Sequence, residues 1–411
     1  MVKTFQPDDL VFSCPLLERG IRFWNKGIVC CSAVTLSSPV LVTPEEMRSG
    51  KVNYDLIVER RKRLFEAFNG LNDMDIGGCA KCALLQKKPY KDVDLTRLGG
   101  LGGSCMASSF NISHFSKCNL RCRYCDYTIR NDFVPPQYDN IIEIIEEFRK
   151  RDKLLYPNSI DYNGGEPTLL ENFDEILNYL VDNNIGYTTV YSNCLKYKQS
   201  IFDALKQNKI GLITSLDAGT PSSYEKIHQV KAFKLHVETI IKYKQSGSDN
   251  LVVKYNICKE NVTDDDLYGF VFLMAAINPP HVFICPEFPY GDMVIPEESV
   301  KFGAKMHYLL RKYTNIPHIY IQTDDMKGDP KLIAFSSDIR KEIEKLENRQ
   351  PITQEFKITP SVVSVCGCEQ RKKKKLKWYQ KIFSVYNEPK HKVICLLGIK
   401  AKIRHKKKGI K

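Results

Sequence analysis

The stretch "KCNLRCRYCDYT" holds three thiols, Cys118, Cys122 and Cys125, spaced CxxxCxxC, with Tyr124 just before the last. A structural zinc ion takes four protein ligands, and an ordinary cubane takes one thiolate per iron. Three thiolates are one short of either. Cys105 or His114 is at hand to complete a zinc site; otherwise a four-iron cluster keeps one iron open for a further ligand. A second set lies upstream. Cys14, Cys30 and Cys31 fall in "FSCPLLERGIRFWNKGIVCCSA", and Cys79 and Cys82 in "GGCAKC". Adjacent cysteines point to opposite sides of an extended strand, so one of Cys30 and Cys31 is expected to ligate.

The elements that must position these thiols follow a regular beat from residue 105 to 330. Strand-like stretches are "FNISHF", "SIDYNGGEP", "GYTTVYSN", "IGLITSLDAG", "NLVVKYNI" and "HVFICPEF". Helix-like stretches such as "IIEIIEEFRKR", "FDEILNYLVDNN" and "DDDLYGFVFLMAAI" separate them. Strands alternating with helices predict a parallel sheet with covering helices. Six strands are too few to close an eight-stranded barrel, so the expected α/β fold is a partial (β/α)6 TIM-like barrel. Residues 1–104 read as a small cysteine-rich domain, ended by the glycine linker "LGGLGGSC". Residues 331–411 read as a C-terminal extension with a basic tail.

Three further motifs sit at the ends of successive strands: "NGGEP" (163–167), "YSN" (191–193) and "SLDAG" (215–219). Together with the CxxxCxxC loop they resemble the radical S-adenosylmethionine (radical SAM) superfamily. The resemblance implies a site-differentiated [4Fe-4S] cluster on Cys118, Cys122 and Cys125. Its open iron would take the amino and carboxylate groups of S-adenosylmethionine (SAM), with Tyr124 at the usual aromatic position. Gly164, Gly165 and Glu166 would lie near the methionine amino group, Ser192 and Asn193 at the ribose and carboxylate, and Ser215 and Asp217 at the family's Ser-Leu-Asp pattern. Taken singly, the glycines serve a turn and Asp217 serves as a helix cap; the joint order carries the resemblance. Strand-end loops suit this work because ligands bind outside the carboxyl ends of parallel strands.

The front segment resembles the auxiliary-cluster segment called a SPASM domain, placed before the core. The ligand set this implies is Cys14, Cys31, Cys79 and Cys82, with Cys30 competing for the place of Cys31, and with them a second [4Fe-4S] cluster. A structural zinc on the same four thiolates is the alternative. Cys366 and Cys368 stand further downstream.

The family reaction is reductive SAM cleavage to a 5′-deoxyadenosyl radical and hydrogen abstraction, fed by a flavodoxin- or ferredoxin-type electron donor. The expected substrate is a carbohydrate or nucleotide-linked sugar, lipid-linked included, undergoing epimerisation or dehydrogenation. A ribosomally made peptide is the alternative, and a non-catalytic iron-sulfur or zinc scaffold the remote one. Quenching a substrate radical needs a hydrogen donor, for which Cys285 and Cys194 are the candidates; Cys258 is a third thiol near a strand end. Lys254 and Tyr255 are adjacent, so only one of them faces the cavity.

The formal net charge is +13, unevenly spread. Residues 371–411 carry sixteen Lys or Arg against one acid, Glu388, so the other 370 residues sum to about −2. A nearly neutral body argues against a nucleic-acid enzyme with a long basic channel. The tail sets lysines beside "WYQKIFSVY" and "VICLLGI" and is expected to meet an anionic membrane surface. Asp8 and Asp9 stand where a signal peptide would be apolar, which gives a cytoplasmic expectation, at the inner face of the membrane if the tail docks there.

Overall fold

The computed structural model describes residues 5–31, 38–82, 84–99, 110–155, 159–287, 295–321 and 330–348, with the backbone of three strands near the C-terminus. Three strands of the large sheet come from the front segment: β1 (Ile21–Trp24), β2 (Gly27–Val29) and β3 (Val40–Val42). Helix α1 (Tyr54–Phe68) follows. Then come β4 (Phe110–Ser113), α2 (Ile141–Lys150), β5 (Ser159–Tyr162), α3 (Phe173–Asp182), β6 (Tyr187–Tyr191), α4 (Gln199–Lys206) and β7 (Ile210–Ser215). The series continues with α5 (Pro221–His228), α6 (Phe233–Lys244), β8 (Leu251–Ile257), α7 (Asp264–Ile277), β9 (His281–Pro286), α8 (Glu297–Tyr313), β10 (His318–Ile321) and α9 (Pro330–Asn348).

Among the described residues these strands form one open sheet in the order β10-β9-β8-β7-β6-β5-β4-β1-β2-β3. Every neighbouring pair from β10 to β1 is parallel; β2 and β3 turn back antiparallel. The parallel run is therefore two strands longer than the six expected. β10 is short and half exposed, "HIYI". β1 lies inside the cysteine-bearing segment and pairs Ile21 with Phe110 and Trp24 with Ser113. The sheet thus crosses the expected boundary at residue 104. Phe23 and Ile28 share one hydrophobic core with Phe110, Ile160, Leu212 and Ile284. The boundary at 331 is crossed too, because Phe335 and Ile339 of α9 are buried in the same core.

The covering helices form where their sequences place apolar residues on one stripe. In α2, Ile141, Ile144, Ile145 and Phe148 are the buried positions, the i, i+3, i+4, i+7 pattern of a helix laid on a sheet. Helix α7 starts at Thr263, whose hydroxyl accepts from the Asp266 backbone N–H, with three acids in its first turn. It ends at Asn278 in the left-handed region.

Side-chain alternation assigns the two faces of the sheet. Thr214 of β7 bonds His236 of α6, so even-numbered positions of β7 face the helices. Tyr187, Thr189, Ile213, Val252, His281 and Phe283 line a cavity of about 520 Å³ on the other face. Lys254 shares that cavity face with Val252. Tyr255 is buried against Phe270 and Phe302 on the helix side, which decides between the two neighbours.

Near the C-terminus, β11 (Phe383–Glu388), β12 (His391–Leu396) and β13 (Ile399–Arg404) form an antiparallel meander. Among the described residues no helix is long and apolar enough to cross a membrane.

Candidate active site

The CxxxCxxC loop runs from the end of β4 to the short helix Asp126–Ile129 and is fastened on two sides. Arg121 N donates to His228 O at 3.2 Å and Arg123 N to Ile227 O at 3.0 Å, which ties the loop to the end of α5. On the other side, Gly165 N donates to Phe115 O at 3.1 Å and Glu166 N to Lys117 O at 2.9 Å. The two glycines of "NGGEP" are needed for this approach. A Cβ on Gly165 would sit 2.1 Å from Lys117 O, and one on Gly164, at φ +109, would sit 2.7 Å from Phe115 O.

Hydrogen-bond donors meet two of the three sulfurs. Cys118 Sγ accepts from Leu120 N at 3.4 Å and lies 3.8 Å from Asn193 Nδ2. Cys122 Sγ is 3.0 Å from His228 Nδ1, and the other ring nitrogen of His228 is 3.2 Å from Leu216 O. Burial pushes the Cys118 thiol up to about 11 and the Cys122 thiol well above its usual range, with nearby acids, Glu166 and Asp217 respectively, adding to the push.

The strand-end acids tie these parts together. Glu166 is buried; its Oε1 accepts from Ser192 Oγ at 2.8 Å and Thr168 Oγ1 at 2.7 Å, and its Oε2 from Asn193 N at 2.7 Å. Its carboxylate therefore joins the β5 and β6 ends, a role additional to the ligand contact the resemblance implies. Asn193 reaches Asn119 Oδ1 at 2.6 Å, beside Cys118. Asp217, at φ +52, accepts from Tyr124 OH at 2.5 Å and from Asn256 N at 2.7 Å, while Asn261 Nδ2 donates to its backbone carbonyl at 2.8 Å. Tyr124 thereby links the cysteine loop to the ends of β7 and β8. Ser215 lies on the cavity face of β7 by alternation with Ile213. His228 and Asn256, which complete these contacts, carry no motif; nothing in the one-dimensional pattern of "EKIHQ" or "KYNI" marks them.

The two candidate hydrogen donors fall in different places. Cys285 alternates with His281 and Phe283 on the cavity face of β9, in register with Asn256. Cys194 is fully buried in the hydrophobic core, and its thiol donates to the Ser192 carbonyl at 3.6 Å. That core position gives Cys194 a packing role. Cys258 is also buried, with its thiol on Asn256 O at 3.6 Å. His114 is enclosed between Phe115 and Tyr138. Cys105, Cys366 and Cys368 lie outside the described residues.

The five upstream thiols also come together. Cys14, Cys30, Cys31, Cys79 and Cys82 line one pocket with Leu16, Leu17, Leu64 and Phe68, around a cavity of about 30 Å³. Cys14 caps the helix Pro15–Arg19, its sulfur accepting from Leu17 N at 3.3 Å. Cys30 and Cys31 leave β2, and Cys79 and Cys82 flank a tight turn with Cys82 N on Cys79 O at 3.1 Å. Burial pushes Cys14 up to about 12 and Cys30 and Cys79 up to about 11. Among the described residues no group of three or more His, Cys, Asp or Glu side chains is arranged to hold a metal ion. Zinc needs its ligands converged on one point. A cubane spreads its thiolates over separate irons, and a set of cysteines is a donor type that suits either group.

A family model for the radical SAM superfamily matches residues 112–274. That segment belongs to the radical SAM superfamily. The superfamily implies a [4Fe-4S] cluster and SAM, for which the three-thiol loop and its sulfur-facing donors are suited. A GTP 3',8-cyclase of Clostridium botulinum (strain Okra / Type B1) is 26% identical over 165 residues, covering 39% of this chain and 51% of the relative. A mitochondrial GTP 3',8-cyclase of Arabidopsis thaliana is 23% identical over 301 residues, covering 70% of this chain and 71% of the relative. The chain spans about half the length of the clostridial relatives it matches. Among solved structures, Streptococcus suis SuiB bound to S-adenosylmethionine matches with 16% identity and a TM-score of 0.39, covering 58% of this chain and 48% of that one.

Proposed function

We propose that the chain is a radical SAM enzyme that acts on a nucleotide or nucleotide-linked sugar held on the cavity face of the sheet. Cys118, Cys122 and Cys125 would hold the cluster, and SAM would lie along the strand ends formed by Gly164, Gly165, Glu166, Ser192, Asn193, Ser215 and Asp217. The bound pair supplies a 5′-deoxyadenosyl radical that removes a substrate hydrogen. The chain's own part is to bind, orient and exclude water. Glu166 fixes the two strand ends against each other, Tyr124 and Asp217 fix the cysteine loop against β7 and β8, and Cys285 is the one candidate hydrogen donor on the cavity face. The observation that carries the reading is the junction of the three-thiol loop with all three strand-end motifs through named hydrogen bonds.

The sugar substrate draws support from the relatives' name, GTP 3',8-cyclase, in which the primed position is a ribose carbon. Epimerisation or dehydrogenation of a nucleotide-linked sugar and cyclisation of a nucleotide all begin with removal of a sugar hydrogen. The five-thiol pocket supports the second reading, modification of a peptide, through its likeness to SPASM-type segments. In either case that pocket would hold a second cluster on Cys14, Cys31, Cys79 and Cys82 that exchanges electrons with the first. A flavodoxin- or ferredoxin-type donor, a cytoplasmic setting and docking of the basic tail on an anionic membrane complete the proposal. The test is anaerobic reconstitution, followed by assay of 5′-deoxyadenosine and product with GTP, a panel of nucleotide sugars, and peptides. SAM cleavage coupled to turnover of a nucleotide or nucleotide sugar is the expected result. Coupling to peptides alone would move the substrate to the second reading, and a loaded protein that never cleaves SAM would overturn both.

A further inference from the structure

We propose that Arg61 is the built-in counter-cation of the N-terminal thiol pocket, a positioning residue that acts through Cys30 on an anionic thiolate cluster. The inference rests on the reading of that pocket as a cluster site, with Cys30 taking the place for which it competes with Cys31. Arg61 projects from α1 and is fully buried, at 0% exposure. Its Nη1 donates to Glu18 O at 3.3 Å and Arg97 O at 3.2 Å, and its Nη2 to Gly20 O at 2.6 Å. Nε is buried without a hydrogen-bond partner. Among the described residues no carboxylate forms an ion pair with this guanidinium. Asp94, a carboxylate whose charge reaches it, accepts from the Thr96 backbone and hydroxyl.

Three carbonyls orient the fork but bring no charge. Burying a cation without a counter-anion costs several kcal/mol, and an arginine stays charged at any working pH. The missing negative charge is next door. Cys30 is buried beside the guanidinium, because Gly20, whose carbonyl Arg61 holds, lies against the Cys30 backbone. Cys14, Cys31, Cys79 and Cys82 share the same apolar pocket. Each thiol that ligates releases its proton to solvent, no electron moves in that step, and the sulfur keeps the negative charge. A set of thiolates in an apolar pocket is as costly as a lone buried cation, and each lowers the cost of the other. Gly20 holds this together from the backbone side. Its carbonyl accepts from Arg61, and a Cβ there would sit 2.4 Å from Cys30 O.

A purely structural role, stapling residues 18–20 and 97 onto α1, would affect stability alone. A fixed cation beside a cluster sulfur also raises the cluster's reduction potential. The test is therefore an EPR-monitored redox titration of the full-length, anaerobically reconstituted chain, with iron and sulfide counted. Arg61→Gln keeps a carbonyl-bonding amide and removes the charge. Its second cluster is expected to shift to a lower midpoint potential while the core cluster's potential stays put, and Arg61→Lys should restore most of the shift. Two clusters in the wild-type chain, with both potentials unchanged in Arg61→Gln, would overturn the role of Arg61 alone. A wild-type chain that never loads a second cluster would overturn the site reading and this inference with it. Should Arg61→Gln not fold, Cys30→Ala carries the test, because it removes the sulfur and leaves the carbonyl staple. A second cluster with unchanged content and potential in that variant would overturn the proposal.

Discussion

At the strand ends, Cys118 and Cys122 are met by polar groups: Leu120 N–H, the Asn193 amide and the His228 ring. The five N-terminal thiols are met by leucine and phenylalanine, with Arg61 behind Cys30. The difference follows from what each site must do. A cluster that shares an iron with an exchangeable ligand needs oriented donors, and the loop draws them from its own backbone, the end of β6 and the end of α5. On the proposed reading, a site closed by its own thiolates needs burial and one compensating charge, which the apolar lining and Arg61 would supply. The two meet across the β1–β4 pairing, where Arg22 Nε donates to Ser113 Oγ at 2.9 Å. The same sheet therefore carries both sets in fixed relation.

The strongest way to break this comparison is at the core thiols. Alanine at Cys118, Cys122 or Cys125 should remove one cluster and all reductive SAM cleavage, read as 5′-deoxyadenosine by chromatography. Residual cleavage in any of the three would mean that the loop is not the SAM site. Next in size, Cys79→Ala with Cys82→Ala should halve the iron and leave the core cluster's EPR signal in place. Loss of one zinc per chain with iron unchanged would replace the second cluster by a structural zinc.

A smaller effect should separate the polar site from the apolar one. His228→Phe keeps the ring volume and removes the contact to Cys122, so the core cluster's potential or loading should fall while the second cluster is unmoved. Equal changes in both would mean that the variant acts through the fold.

The acid limb of stability should come from buried histidines that lie outside both thiol sets. Burial lowers His114 to about 4 and His236 to about 3. A histidine depressed in the folded state favours folding fully above its unfolded value, about 6.5. That contribution is lost as pH falls from 6.5 toward 4, by up to about 3 kcal/mol for His114. Tm should drop across this window, and His114→Phe should flatten the drop; an unchanged pH profile in that variant would assign the acid limb elsewhere. The least effect on catalysis is expected from the tail. Truncation after Gln370 should leave SAM cleavage unchanged and weaken salt-sensitive co-sedimentation with anionic vesicles. Full-length protein that ignores such vesicles at low salt would remove the docking idea.

The sequence by itself determined the core thiols, the strand-end motifs and the alternation of strands with helices. Those features are local: a ligand spacing, a glycine turn and a hydrophobic period are each written within about ten residues. The six strands from "FNISHF" to "HVFICPEF" were legible for that reason, whereas the upstream cysteines, spread from residue 14 to 82, were grouped only through a resemblance. What the tertiary structure decided is long-range. It placed β1 against β4, so that a segment read as a separate domain became part of the sheet. It set Lys254 toward the cavity and Tyr255 away from it, and it separated Cys285 on the cavity face from Cys194 in the core. It also brought His228 to Cys122 across 106 residues and enclosed Arg61 beside Cys30. Pairings of that kind depend on strand register and on which buried polar groups find partners. Only the packed chain fixes them, because the cost of an unpaired group is felt once water has been excluded.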